Sequence, residues 1–208
     1  EHSIKHDNGS IYTLGPIIHN NQVIEKLENQ GVKSIDEVDQ VNEGVIIIRS
    51  HGVEPLIYEK AKGKDVKVVD ATCPYVKNIQ NKVKLYFEKG YQIIIVGNKQ
   101  HPEVMGVNGW CNHKAIILDD IEEAKIIPHY PKICVVSQTT ITQEKLSEIV
   151  SCIVPKSRQI MLLNTICNAT VKRQEETKEL AQIADAMILI GGYHSSNTQK
   201  LVSIGKKY

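Results

Sequence analysis

Cys73 stands at an abrupt change of pattern. The β-branched run Val66-Lys67-Val68-Val69 ends at Asp70-Ala71-Thr72-Cys73. Pro74 then opens a helical pattern from about Tyr75 to Lys89, with Val76, Ile79, Val83 and Tyr86 on one face and Gly90 closing it. A thiol placed where the carboxyl end of a strand meets a helix N-terminus feels the partial positive charge of that terminus. The thiolate, which ligates metal or attacks carbon, is favoured there. A single cysteine in that position is more often packing than chemistry, so the weight falls on what else shares the placement. His19, His51, His101, Glu103, Thr139, Thr140, Cys167, Ser195 and Asn197 all follow apolar runs in the same way. Three histidines with a Ser195-x-Asn197 pair near helix starts suit an anionic phosphate group, because imidazole, hydroxyl and backbone N–H donors can orient its oxygens. Cys73 and Cys167 suit a soft metal centre. Glu103, two residues after His101, could move protons together with Thr139 and Thr140.

Type alone does not assign these roles. Ser and Thr at strand ends are commonly helix caps, and Thr140 with Gln143 has the spacing of a capping box. Asp70 reads equally as a catalytic group or as the residue that fixes the loop before Cys73. Arg49 reads more simply as a salt-bridge partner than as a phosphate ligand. His2, His113 and His129 carry no role.

The elements that must position these residues repeat one unit, an apolar run followed by polar residues and then a helix. Tyr12–Ile18 leads to His19-Asn20-Asn21 and a helix with Val23, Ile24 and Leu27. Val45–Ile48 leads to Arg49-Ser50-His51-Gly52, before Glu54-Pro55 opens a helix. The Cys73 unit follows, then Ile93–Val96 running through Gly97-Asn98 to His101-Pro102-Glu103. Ile133–Val136 ends at Ser137-Gln138-Thr139-Thr140, before a helix with Leu146, Ile149, Val150 and Ile153. Ile160–Leu163 ends at Asn164-Thr165-Ile166-Cys167, before a helix reaching Ala184; Met187–Ile190 ends at Gly191-Gly192 and Ser195-Ser196-Asn197. Continuous apolar strands alternating with helices imply an α/β fold whose parallel sheets are covered on both faces. Ligands of such sheets bind beyond the carboxyl ends of the strands, where all the candidate residues lie.

Composition excludes several classes. The 208 residues are 41% hydrophobic with a formal net charge of +1, and Lys and Arg are scattered. There is no basic footprint for nucleic acid and no basic amphipathic helix for a membrane. The longest apolar runs are strand-sized, far below the ~18 residues of a membrane span. Five cysteines without close pairing argue against a disulfide framework and for a reducing cytoplasm. Neither a Walker motif nor a G-x-G-x-x-G follows any strand, so a nucleotide is not implied.

Seven segments together carry a resemblance: Gly15-Pro16-Ile17-Ile18-His19-Asn20, Arg49-Ser50-His51-Gly52-Val53, Asp70-Ala71-Thr72-Cys73-Pro74, His101-Pro102-Glu103-Val104, Ser137-Gln138-Thr139-Thr140, Asn164-Thr165-Ile166-Cys167 and Ser195-Ser196-Asn197. In kind and order they resemble the 4-hydroxy-3-methylbut-2-enyl diphosphate reductase family of the non-mevalonate isoprenoid pathway, over nearly the whole chain from about Tyr12. The resemblance implies three similar small α/β domains around a central site. It also implies a 4Fe-4S cluster held by three cysteines, whose open iron takes the allylic hydroxyl of the substrate. Two electrons and two protons then remove that hydroxyl as water. On this basis Cys73 and Cys167 are cluster ligands, and His19, His51, His101, Ser195, Ser196 and Asn197 hold the diphosphate. Glu103 relays protons, Thr139 lies near the substrate hydroxyl, and Thr140 supports it. A small ferredoxin or flavodoxin is the implied electron donor.

The chain departs from the family pattern at both ends. No cysteine precedes Cys73, where the family has its first cluster ligand, and the family continues past Tyr208 with a further diphosphate-binding serine. The expectation is therefore a fragment: an incomplete first domain over residues 1–73, a complete second over 74–163 and an incomplete third over 164–208. Its activity alone would be weak or absent. Cys111, Cys134 and Cys152 read as buried or partly buried thiols. Two other functions compete with the reductase. One is a zinc-dependent hydrolase, against which the lack of close ligand pairs argues. The other is a non-catalytic diphosphate-binding module.

Overall fold

The computed structural model describes residues 10–18 and 20–208. It contains two four-stranded sheets in which every pairing is parallel. The first is built from β1 (Ile11–Leu14), β2 (Val32–Ile35), β3 (Glu43–Ile48) and β4 (Asp65–Asp70), in the order β2-β1-β3-β4. The second is built from β5 (Gln92–Val96), β6 (Ile116–Leu118), β7 (Tyr130–Ser137) and β8 (Ser157–Leu162), in the order β6-β5-β7-β8. The two orders are the same topology used twice. In each, the first strand is followed by a move to one side and then by a reversal to the other.

The helices are α1 (Asn21–Glu28), α2 (Pro55–Lys62), α3 (Pro74–Glu88), α4 (Pro102–Gly109), α5 (Ile121–Lys125), α6 (Gln143–Ile153), α7 (Asn168–Ile183) and α8 (Ser196–Lys207). Among the described residues no helix is long and apolar enough to cross a membrane. Proline at the first helical position starts α2, α3 and α4, where its fixed φ fits and its missing N–H leaves nothing unsatisfied.

The second sheet is buried on both faces. Ile94, Val96, Ile133 and Val135 pack on Leu146, Ile149 and Ile153 of α6. The alternate residues Ile93, Ile95, Cys134 and Val136 pack on Val76, Ile79 and Val83 of α3 and on Val104 and Val107 of α4. Each such aliphatic side chain removed from water stabilises the fold by about 1.5–3 kcal/mol. Helix α3 therefore belongs to the core of the second sheet although it follows the last strand of the first. That crossing places the Asp70–Cys73 link at the junction of the two sheets.

Two strands escape a search for long apolar runs, one because it has none and one because its run is short. β2 reads Val-Lys-Ser-Ile and β6 has three residues; both are edge strands, paired on one side only. The opposite correction applies to Met187–Ile190. This run was expected to be a strand, but it forms no ladder, and Ile188 and Ile190 are 88% and 95% exposed. A strand exists only by pairing its backbone groups with a neighbour, and no described segment lies alongside this one in a sheet.

Candidate functional site

In a parallel sheet of this order, the loops leaving the two central strands run in opposite directions, so a crevice opens beyond their carboxyl ends. In the first sheet these strands are β1 and β3, followed by Gly15 and by Arg49–Gly52. In the second they are β5 and β7, followed by Gly97–His101 and Gln138–Thr140. The register levels the exits, pairing Leu14 with Ile48, Ile48 with Asp70, and Val96 with Ser137.

Asp70 fixes the loop ahead of Cys73. Its carboxylate accepts the backbone N–H of Thr72 at 3.0 Å and the Thr72 hydroxyl, pairs with Lys77 Nζ at 2.7 Å, and accepts the Tyr58 hydroxyl at 3.2 Å. Burial pushes this carboxyl up, but the hydrogen bonds from Lys77 and Thr72 together hold it below its ordinary value. Cys73 caps α3 through its backbone and leaves its thiol uncommitted, half-buried, with no capping bond from the side chain. Its N–H donates to the Ser50 carbonyl at 3.0 Å, tying it to the loop that carries His51.

That loop is clamped from the second sheet. The Val53 carbonyl accepts Trp110 Nε1 at 3.0 Å and Gln80 Nε2 at 3.4 Å. Gly52 has φ +69° and faces the Gln80 amide, so a side chain there would be strained twice over. The clamp sets the His51 ring edge-on to that of His101, with centroids 5.4 Å apart. His101 caps α4, where its Nδ1 accepts the Glu103 N–H at 3.2 Å. In the neutral ring this leaves the proton, and the donor, on Nε2.

Glu103 is 3% exposed. Its Oε1 accepts the Thr139 N–H and its Oε2 accepts the Thr139 hydroxyl, both at 2.7 Å. Burial raises its pKa, against the opposing hydrogen bonds from Thr139. The Thr139 carbonyl accepts the Cys167 N–H at 3.1 Å, and Cys167 caps α7 with its half-buried thiol likewise uncommitted. Thr140 Oγ1 lies 2.8 Å from Ser196 Oγ. Gln138 donates to both oxygens, at 2.9 and 3.3 Å, while its own carbonyl accepts the Asn98 N–H at 3.0 Å. Ser195 is the N-cap of α8 and accepts the Thr198 N–H at 3.3 Å. Asn197 Oδ1 is buried with no hydrogen-bond partner.

The structure thus links Cys73, His51, His101, Glu103, Thr139, Cys167, Thr140 and Ser196 through one continuous set of contacts spanning both sheets and α8. Ser195 is engaged locally as a cap. His19 lies outside the described residues.

Two expectations are corrected. The cap of α6 is Thr142, which accepts the Lys145 N–H at 3.3 Å; Thr140 lies two residues too early and is occupied by Ser196 and Gln138. Arg49 makes no ion pair among the described residues. Its guanidinium lies against Gly15, where an added Cβ would come within 2.6 Å of Nη1, and its Nε has no hydrogen-bond partner. Burial lowers its pKa.

Gln138, Gln80 and Trp110 were missed as positioning groups. For Gln138 a signal existed, since it is a polar residue directly after a buried strand. For Gln80 and Trp110 there was none, because their partner is a carbonyl far along the chain.

Cys111 and Cys134 are buried and Cys152 is half-buried. Burial pushes Cys134 up to about 12. That leaves Cys73 and Cys167 as two thiols of matching construction, each at the N-terminus of a long helix with no side-chain cap bond. Their softness fits iron–sulfur ligation. Among the described residues no third Cys, His, Asp or Glu completes a metal-binding group with them.

The LytB protein family model matches residues 1–208. A 4-hydroxy-3-methylbut-2-enyl diphosphate reductase from Alkaliphilus oremlandii is 48% identical over 201 residues, which are 97% of this chain and 72% of that protein. One from Thermoanaerobacter pseudethanolicus is 50% identical over 206 residues, 98% of this chain and 72% of that protein. The solved Plasmodium falciparum E-1-hydroxy-2-methyl-but-2-enyl-4-diphosphate reductase superposes with a TM-score of 0.93 at 30% identity, covering 99% of this chain and 66% of its own. A solved (E)-4-hydroxy-3-methyl-but-2-enyl diphosphate reductase, described as the terminal enzyme of the non-mevalonate pathway, gives 0.78 at 41% identity, covering 99% and 74%.

Proposed function

Because the chain belongs to the LytB family of 4-hydroxy-3-methylbut-2-enyl diphosphate reductases, we propose that it serves the reductive removal of the allylic hydroxyl of 4-hydroxy-3-methylbut-2-enyl diphosphate. The products are isopentenyl and dimethylallyl diphosphates. The observation that carries this reading is the buried Glu103–Thr139 pair, held between the His51–His101 contact and the Cys167 backbone.

Cys73 and Cys167 would hold two corners of a 4Fe-4S cluster, which supplies the electrons and a Lewis-acidic iron for the leaving hydroxyl. His101, with Nε2 left as its donor, His51, His19, Ser195, Ser196 and Asn197 would hold the diphosphate. The unpartnered Asn197 carbonyl oxygen needs a donor, which a protonated phosphate oxygen or a bound water would supply.

Glu103 moves the proton. Oε1 is occupied by the Thr139 N–H, so an arriving proton goes to Oε2, where burial favours the neutral acid. The hydrogen bond to Thr139 then reverses. Oε2–H donates to Oγ, and the hydroxyl proton of Thr139 is released toward the departing oxygen. Thr140, fixed by Gln138 and Ser196, supports that loop.

The same reading divides the chain near Cys73 and Leu163, so that each sheet lies within one unit. It takes a small ferredoxin or flavodoxin as electron donor and the cytoplasm as location, to which five unbridged cysteines are suited. These 208 residues contain two of the three cysteines the family uses, so the polypeptide alone is expected to hold a cluster weakly and to turn over slowly.

The test is anaerobic reconstitution with iron and sulfide analysis, followed by substrate-dependent oxidation of a reduced donor. The reading expects brown absorbance at substoichiometric occupancy, abolished by Cys73→Ser or Cys167→Ser. A colourless protein that binds diphosphate equally well before and after Cys73→Ser would instead identify a non-catalytic binding module.

A further inference from the structure

The ladder between β7 and β8 outlasts the strands that form it. The Val135 carbonyl accepts the Leu163 N–H at 3.0 Å, one residue past the end of β8. The Gln138 N–H turns the other way, to the Val96 carbonyl of β5 at 2.8 Å. By the alternation of a strand, Ser137 therefore turns both of its backbone groups toward the β8 side. The Thr165 hydroxyl answers both. Its Oγ1 accepts the Ser137 N–H and donates to the Ser137 carbonyl, each at 2.7 Å. With its one proton so placed, the Ser137 hydroxyl is the donor across the 3.0 Å that separate the two side chains. Both residues are buried. Two residues on, the Thr139 carbonyl accepts the Cys167 N–H at 3.1 Å. The carbonyls of Val135, Ser137 and Thr139 thus accept in turn from Leu163, Thr165 and Cys167, each donor 28 positions further along the chain. The middle rung is a side chain.

The first sheet builds the same approach from backbone. There the carbonyls of Ile48 and Ser50 accept the N–H groups of Ala71 and Cys73, both at 3.0 Å. Ile48 and Ser137 are the last residues of β3 and β7, so Thr165 stands in the place of Ala71. The two loops also share a turn: Asp70 and Asn164, each three residues before a cysteine, accept the N–H groups of Thr72 and Ile166 at 3.0 and 3.2 Å. One geometry delivers both thiols, and in the second sheet it depends on a hydroxyl.

We propose that Thr165 is a positioning residue for the Cys167 thiol, its hydroxyl holding Cys167 in register with Thr139. The proposal rests on the reading of Cys167 as a cluster ligand and deepens it. A buried hydroxyl that merely completed the sheet would act on all its surroundings alike. This one lies between two rungs, the further of which carries the thiol. Removing it leaves the Ser137 N–H and carbonyl buried without partners, and the chain beyond Leu163 loses the rung that sets its register.

Thr165→Val removes the hydroxyl at nearly constant shape, and Thr165→Ser keeps it. On the metal-free protein, iodoacetamide should alkylate Cys167 at least about fivefold faster in Thr165→Val, because access to a half-buried thiol governs its rate. Cys73, read in the same digest, should keep its rate, and Thr165→Ser should return Cys167 to the rate of the unsubstituted protein. After anaerobic reconstitution, Thr165→Val should lose the iron–sulfur absorbance and Thr165→Ser should retain it. If Thr165→Val does not fold, amide exchange in the unsubstituted protein decides: the Cys167 N–H should exchange within about tenfold of the Leu163 N–H, as rungs of one ladder. A smaller change at Cys167, a change shared by Cys73, or a Cys167 amide exchanging faster than that limit would each overturn the proposal. So would absorbance kept in Thr165→Val but lost in Cys167→Ser. Absorbance that survives Cys167→Ser would instead overturn the cluster reading, and the alkylation rates would still decide the role of Thr165.

Discussion

Ile93-Ile94-Ile95-Val96 and Met187-Ile188-Leu189-Ile190 are four-residue aliphatic runs of nearly the same hydrophobicity, and they meet opposite fates. The first lies within β5, with each residue at most 1% exposed, between β6 and β7 and under α3, α4 and α6. The second lies between α7 and α8 with two of its isoleucines open to water and no ladder on either side. The difference is one of neighbours. An apolar run states that a segment wants burial, while a strand also requires backbone partners on at least one edge.

The sharpest way to break that comparison is to truncate both runs. Ile94→Ala should cost about 2–5 kcal/mol in urea denaturation, because the cavity it leaves is enclosed, whereas Ile188→Ala should stay within about 0.5 kcal/mol. Equal losses would mean that the second run is covered in solution.

The next effect concerns the site between the regions. Burial holds the Glu103 pKa above its unfolded value, so in the intervening pH window the folded state binds more protons than the unfolded one. The contribution of Glu103 to stability should be fully present below the ordinary glutamate range and be lost as pH rises through the raised value. Glu103→Gln should flatten that slope in denaturation midpoints taken from pH 4 upward.

A smaller effect separates the two threonines. Thr142→Ala should cost about 1 kcal/mol as a lost N-cap. Thr140→Ala should spare α6 and instead loosen the Ser196 contact with α8, seen as faster amide exchange in α8 only.

The smallest is chemical and leaves stability untouched. Iodoacetamide on the native, metal-free protein should label the half-buried Cys73, Cys152 and Cys167 while sparing Cys111 and Cys134. Mass spectrometry of the digest would reveal any reversal.

Much of the fold was legible because its central strands are continuous apolar runs punctuated by Pro and Gly. Pro74 and Gly90 bracket α3 to within a residue or two. The candidate site was legible as a list of strand-end residues. Its internal wiring was not, since Glu103 and Thr139 are 36 positions apart and Thr140 and Ser196 are 56 apart. Edge strands β2 and β6 stayed hidden for different reasons: β2 is half-exposed and carries no apolar run, and the apolar run of β6 is only three residues long.

By itself the amino-acid order determined which segments seek burial, where helices start and stop, and which side chains stand at the carboxyl ends of strands. These follow from local sterics and from the 3.6- and 2-residue periods of the backbone. Tertiary structure alone decided that His51 meets His101, that Glu103 is sealed against Thr139, and that Met187–Ile190 has no sheet to join. Each depends on which distant backbone lies alongside, a choice made by the packing of whole layers.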